Sequence, residues 1–211
     1  CLGILSVAGI PFASQIYAFV ASPLLDILPA GSSMIATQVT SPFMAPLKLV
    51  LFSALLITMP YLFYEIWMFM SPGLYKNEKS FVAPLMVSTI LLFSAGVVFA
   101  YLVVLPIIFK FFIGVAPESI QVMTDINQYL SFVIKLIFAF GIAFEIPIAT
   151  FLLIRTGIAK KESLIKARPY LIILFFVIGM LLTPPDIFSQ LFLAIPMWIL
   201  FELGLLFSKN K

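Results

Sequence analysis

Histidine is absent from these 211 residues, cysteine occurs once, and charged side chains make up only 10% of the chain. Each scarcity closes off a class of function. Without histidine the protein lacks the commonest metal ligand and the usual general base, so Ser-His or Cys-His catalysis and metal hydrolysis lose their ordinary carriers. One cysteine cannot build an internal disulfide framework. Neither a Gly-x-Ser-x-Gly elbow nor a Gly-rich Lys-Ser/Thr phosphate loop is found. The chain is therefore not read as an enzyme, and no cofactor or metal is expected. What is abundant is apolar: 63% of residues are hydrophobic and 23 are phenylalanine, against ~45–50% apolar in soluble domains. Such a chain is an integral membrane protein.

Apolar runs extend from Leu2 to Val20, Leu47 to Met70, Phe81 to Leu105, Leu130 to Ile154, Pro169 to Leu182 and Ile187 to Phe207. These predict an all-α membrane protein with six transmembrane helices in one domain, 1–211, because lipid offers backbone groups no partner outside the helix. Turn chemistry separates the runs: Ser22-Pro23, Pro29 to Gly31, Ser71-Pro-Gly73, Pro106, Pro117, Gly157 and Thr183-Pro-Pro-Asp186. The fifth run has only ~14 residues, ~21 Å of helix against a hydrocarbon core of ~30 Å. It forms a short hairpin with the sixth, with Asp186 placed to cap the latter.

Lys76, Lys79, Arg155, Lys160, Lys161, Lys166, Arg168, Lys209 and Lys211 fall on one side of this arrangement, whereas Lys48, Lys110 and Lys135 fall on the other. The first side is expected to face the cytoplasm, with both termini there. Cys1 then follows either a missing cytoplasmic segment, the favoured reading, or lipoprotein processing. The two long outer loops, Ala21 to Pro46 and Pro106 to Tyr129, are expected to form a structured cap. Ser22-Pro23 and Asp125 with Gln128 are candidate helix starts. A cap would also shelter Met34, Ile35, Phe43 and Met123 from water.

Polar residues within the spans are the functional candidates. Glu145 lies mid-span in Phe140-Gly-Ile-Ala-Phe-Glu-Ile-Pro147, where an acid costs at least ~2.5 to 3.5 kcal/mol. Either it is protonated and hydrogen-bonded to a neighbouring helix, or it faces a polar partner or a water-filled cavity. Pro147 removes the donor to the Ala143 carbonyl and bends or opens the helix there. Glu65 and Glu202 are expected to be solvated at the interface. Met180, Thr183 and Gln190 mark a polar patch that could hold another transmembrane helix or, equally, hydrogen-bond within the bundle. Glu78, in Ser71 to Lys79, is either a solvated carboxylate beside Lys76 and Lys79 or a receptor for cations.

Several strings together resemble one family. Ser41-Pro-Phe43, Glu65-Ile-Trp-Met-Phe-Met-Ser-Pro-Gly-Leu-Tyr-Lys-Asn-Glu78, Phe99-Ala-Tyr101 with Pro106, Tyr129-Leu-Ser-Phe132, Phe140 to Pro147, Arg168-Pro-Tyr170 and Gly179 to Gln190 are similar to TatC, the multi-spanning subunit of the twin-arginine protein translocase. The resemblance runs the length of the chain in order. It departs at the front, where the family's cytoplasmic segment with an acidic His-Leu-x-Glu-Leu-Arg-like stretch is absent.

The resemblance implies a concave bundle with short fifth and sixth helices, in the bacterial inner membrane. It further implies a receptor that reads paired arginines of signal peptides on folded cargo, assembles with the single-span partners TatA and TatB, and draws on the protonmotive force. Glu78 matches the family's carboxylate for the arginine pair, and Phe69, Tyr75 and Lys76 stand with it. A guanidinium suits that role because its planar fork can donate two parallel bonds to one carboxylate. Glu145 matches the intramembrane acid, Met180, Thr183 and Gln190 match a partner-helix dock, and Pro42, Asp125 and Asp186 fall in the outer cap. A proton-coupled secondary transporter working through Glu145 is the alternative.

Overall fold

Among the described residues, helices run through proline at Pro46, Pro60 and Pro196. The structure, a computed structural model, describes residues 2–25, 34–70, 82–115, 123–182 and 187–208. Helix α1 (Leu2–Gly9) passes through a single 3-10 turn at Ile10–Phe12, which carries Pro11, into α2 (Ala13–Leu25). Helix α3 (Ser41–Met70) holds Pro46 and Pro60 in its interior without a break. A membrane helix tolerates such residues because neighbouring groups can take up the freed carbonyls.

Pro106, expected to open the second outer loop, instead lies inside a continuing helix. Helix α4 (Val82–Phe99) widens into a π turn at Ala100–Val104 and continues as α5 (Leu105–Val115). Pro106 cannot donate to the Leu102 carbonyl, and the wider turn just before it absorbs the missing bond. The first outer loop likewise ends earlier than Pro46, at Thr40, and Ser22-Pro23 lies within α2 rather than starting a helix.

Among the described residues, five helical stretches are long and apolar enough to cross a membrane: Gly3–Ser22, Ser41–Phe69, Ala83–Val115, Ile126–Arg155 and Ile187–Phe207. The fifth span in sequence order, α9 (Arg168–Leu182), has 15 residues, ~22 Å at 1.5 Å per residue. Helix α10 (Ile187–Phe207) has 21, ~31 Å, so the shortness expected of both hairpin helices belongs to α9 alone. The chain is a multi-pass, all-α membrane protein.

It divides into two compact units, Cys1–Lys76 with Tyr101–Lys135, and Asn77–Ala100 with Leu136–Lys211. In the first, α1 and α2 lie along α3. A Cβ on Gly9 would come within 2.9 Å of Val50 Cγ1, so the first span approaches α3 through a residue with no side chain. Leu49, Leu105, Ile108, Leu130 and Val133 are buried in its core, and the Phe109 ring lies 5.2 Å from Tyr129 and 5.7 Å from Phe132.

Two tyrosines bond the end of α2. Pro23 has no N–H for the Phe19 carbonyl, and that oxygen accepts instead from Tyr101 Oη at 2.5 Å and Ser22 Oγ at 2.9 Å. The Phe19 and Tyr101 rings stack at 5.0 Å, and Tyr129 Oη donates to the Val20 carbonyl at 2.9 Å. The two segments expected to form outer loops meet each other in their described parts. Met34 and Ile35 (β1) pair in parallel with Thr124 and Asp125 (β2), and Asn127 Nδ2 donates to the buried Ser41 Oγ at 2.6 Å. The expected shelter is partial: Met34 and Ile35 are half-buried, whereas Phe43 and Met123 stay exposed.

The second unit is built on α10. It packs along α9 and along α7 (Ile146–Arg155), where a Cβ on Gly204 would lie 2.8 Å from Pro147 Cα. Helix α6 (Ile126–Ala143) meets α4 closely, since a Cβ on Gly96 would stand 2.5 Å from the Phe140 carbonyl oxygen. The short helix α8 (Lys161–Lys166) links α7 to α9, and Lys161 Nζ donates to the Ser208 carbonyl at 2.8 Å beyond the end of α10.

Candidate functional site

Glu145 occupies the break between α6 and α7. The Phe144 and Glu145 N–H groups bond back to Phe140 and Ile142, and Pro147, in the first turn of α7, has no donor to offer Ala143. The Pro147 expectation thus resolves as a turn at residues 144 and 145 that opens the helix locally. The Glu145 side chain does not cap α7. Its carboxyl meets the Thr89 hydroxyl and the backbone at Phe93, both on α4, while Oε1 is buried without a hydrogen-bond partner. An acid held so far from either end of Ile126–Arg155 is expensive, and one satisfied oxygen only partly offsets its desolvation.

Glu202 departs from the expected interfacial solvation. It accepts from Arg168 Nη2 at 2.6 Å, with the two side chains 23% and 42% exposed respectively. At that exposure the pair contributes on the order of 1 kcal/mol or less. Its value is positional, because it ties the start of α9 to the last turns of α10. Glu65 is exposed and accepts from Tyr61 on the same face of α3.

Asp125 performs the predicted capping. Its Oδ1 accepts from the Gln128 N–H at 3.0 Å, and its Oδ2 accepts from Thr37 N at 3.1 Å and Thr37 Oγ1 at 2.6 Å. The Thr37 hydroxyl bond, then the Gln128 and Thr37 amides, hold the carboxyl down at about 2, below its ordinary value of 3.8. One carboxylate therefore starts α6 and joins the two outer loops. Pro42 lines a small apolar recess of about 140 Å³ with Ile10, Phe43 and Val50 among its neighbours.

Phe69 stands on the last turn of α3 with 88% of its surface exposed. Glu78, Tyr75 and Lys76 lie outside the described residues, as do Thr183 and Asp186. Met180 is half exposed near the end of α9, and Gly179 beside it contacts α10 at Gln190, where a Cβ would meet Gln190 Cα at 3.5 Å. Gly179 thus lies where the two hairpin helices meet, beside the Met180 and Gln190 positions. Thr89 and the Arg168–Glu202 pair were not legible as partners in the sequence. The available signal was that a mid-span acid needs a donor, and Thr89 is among the few hydroxyls buried in the second unit.

A helical bundle with a carboxyl in the middle of an apolar span and an exposed aromatic at a helix end defines a multi-pass membrane protein. Residues 1–196 match the family model described as Sec-independent protein translocase protein (TatC). The chain belongs to that family. It is 57% identical over 197 residues to the TatC protein of Azotobacter chroococcum mcd 1, covering 93% of this chain and 77% of the relative. The TatC protein of Escherichia coli K12 is 52% identical over 198 residues, covering 94% and 77%. A crystal structure of a twin arginine translocase receptor, TatC, superposes with a TM-score of 0.87 at 35% identity, covering 97% of this chain and 90% of that one. A second, in DDM, gives 0.88 at 34% identity, covering 99% and 92%. The function is accordingly that of a translocase subunit, not a secondary transporter.

Proposed function

We propose that this chain is the signal-peptide receptor and core subunit of a twin-arginine translocase in the bacterial cytoplasmic membrane. It acts as one transmembrane domain with both termini cytoplasmic, and binds rather than catalyses. The observation that carries this reading is Phe69: an almost fully exposed aromatic ends α3 just before the polar stretch that holds Tyr75, Lys76 and Glu78, in a chain similar over its whole length to translocase receptors. An exposed apolar ring there offers a surface for an incoming peptide to cover.

Glu78 alone is too weak to hold a signal peptide. An exposed pair gives ~0–1 kcal/mol and a shielded charge-assisted bond ~1.5–3, whereas micromolar binding needs ~8 kcal/mol. The remainder comes from the peptide's apolar stretch, at ~25 cal/mol per Å² buried. Met180, Thr183 and Gln190 receive a single-span TatA- or TatB-type helix, Pro42, Asp125 and Asp186 shape the outer side, and Glu145 serves as the intramembrane polar contact. Energy comes from the protonmotive force.

The test uses purified protein in nanodiscs with photo-crosslinking signal peptides. An Arg-Arg peptide is expected to crosslink near Phe69, and a Lys-Lys peptide to lose ~10-fold or more, the worth of one bidentate bond. Glu78→Ala should remove the difference between them. Equal crosslinking of both peptides, with Glu78→Ala silent, would sink the assignment.

A further inference from the structure

The second unit carries an apolar groove that ends at an ion pair. Ile172 and Phe176 of α9 and Leu191, Ala194, Ile195 and Trp198 of α10 line a cavity of about 270 Å³ whose walls are wholly apolar. Arg168 stands one helical turn before Ile172, and Glu202 one turn after Trp198, so their 2.6 Å bond lies across one end of the groove. Only one guanidinium edge is spent there. Arg168 Nε is buried without a partner, as is Glu202 Oε1. Exposed Lys166, two residues before Arg168, and exposed Lys160 lie on α8 and at its N-cap, and 155–168 holds five cations against the single acid Glu162.

Exposed Ile158, Ile165 and Tyr170 are interleaved with those cations. That mixture suits the boundary between headgroups and hydrocarbon, where apolar side chains sink and ammonium groups snorkel. Helix α9, at 15 residues, is also too short to carry Arg168 far beyond that boundary.

We propose that the groove binds one acyl chain of an anionic phospholipid, with its phosphate held by Arg168 and Lys166. Local charge selects the headgroup. A net positive cluster attracts an anionic lipid and gains nothing from the ammonium of a zwitterionic one. The Glu202 carboxylate fixes one guanidinium nitrogen, and the Arg168 side chain, 42% exposed, keeps the rest of its guanidinium for the phosphate.

Protein in mild detergent, doped with equal phosphatidylglycerol and phosphatidylcholine, would be read by native mass spectrometry. Phosphatidylglycerol should be retained about fivefold over phosphatidylcholine. Lys166→Gln and Arg168→Lys should bring that ratio towards one, and Lys110→Gln, on α5, should leave it unchanged. Ile195→Trp, or Leu191→Phe if the first lowers the melting temperature without lipid, should abolish retention of both lipids. Glycerol phosphate alone should not raise the melting temperature, whereas phosphatidylglycerol should. Equal retention of the two lipids by the unaltered protein would overturn the proposal. So would lipid retention unchanged by a filled groove, or protection by glycerol phosphate equal to that of the whole lipid. Crosslinking of a single-span helix at Ile195 with no lipid retained would give the groove to that helix instead.

Discussion

At the scale of single residues, the polar side chains of this protein mostly repair backbone. Tyr101 is an example: its hydroxyl serves the carbonyl that Pro23 cannot, and Ser22 shares the task. Tyr101→Phe should lower stability by ~1 kcal/mol rather than the full cost of an orphaned carbonyl, because Ser22 remains. Chemical denaturation in detergent would show it, and Tyr101→Phe combined with Ser22→Ala should cost more than the two single changes summed. Asp125 carries a pH signature. Its carboxyl titrates near 2 when folded and near 3.8 otherwise, so its contribution is fully present above pH 3.8 and is lost as pH falls towards 2. The melting temperature should fall through that window, and Asp125→Asn should flatten that part of the profile. A wild-type profile unchanged between pH 4 and pH 2 would contradict the Thr37 and Gln128 bonds. Asp125 and Gln128 could be read as a helix start from spacing alone. Thr37 could not, because it lies 88 residues away in the chain.

At the scale of helices, small residues set the approach of neighbours. Gly96 faces the Phe140 carbonyl with no room for a methyl group, while Gly114 on α5 has nothing within 4 Å. Gly96→Ala is therefore expected to destabilise by ~1–3 kcal/mol through overpacking. Gly114→Ala should be neutral or stabilising by up to ~1 kcal/mol, the helix-propensity gain. Thermal unfolding of both in one detergent checks the pair, and equal effects would argue against the close α4–α6 approach. Apolar runs placed all six spans, yet their ends moved where proline was taken for a terminus. At Pro106 a π turn absorbed the missing bond, and at Pro46 the helix ran through. Whether a proline bends or stops a helix depends on which groups stand ready for the freed carbonyl, and those belong to other helices.

At the scale of the whole molecule, Glu145 tests the balance between charge and polarity. Thr89 and the Phe93 backbone meet its carboxyl while Oε1 stays unpartnered. Glu145→Gln keeps the hydrogen-bonding shape and should retain most export of a twin-arginine reporter, whereas Glu145→Leu should lose it by ~10-fold or more, the worth of a buried polar contact. Near-normal export by Glu145→Leu would remove the residue from the mechanism. Composition alone determined that this protein lives in a membrane, since nothing else accommodates 63% hydrophobic residues. Run length determined five spans and one shorter apolar helix, and ordered motifs pointed to its family. Tertiary structure decided the pairings: Thr37 with Asp125, Tyr101 with Phe19, Arg168 with Glu202, Thr89 with Glu145. Hydrophobic periodicity is a local property written along one strand of sequence, whereas a hydrogen bond between distant segments depends on packing that no local pattern encodes.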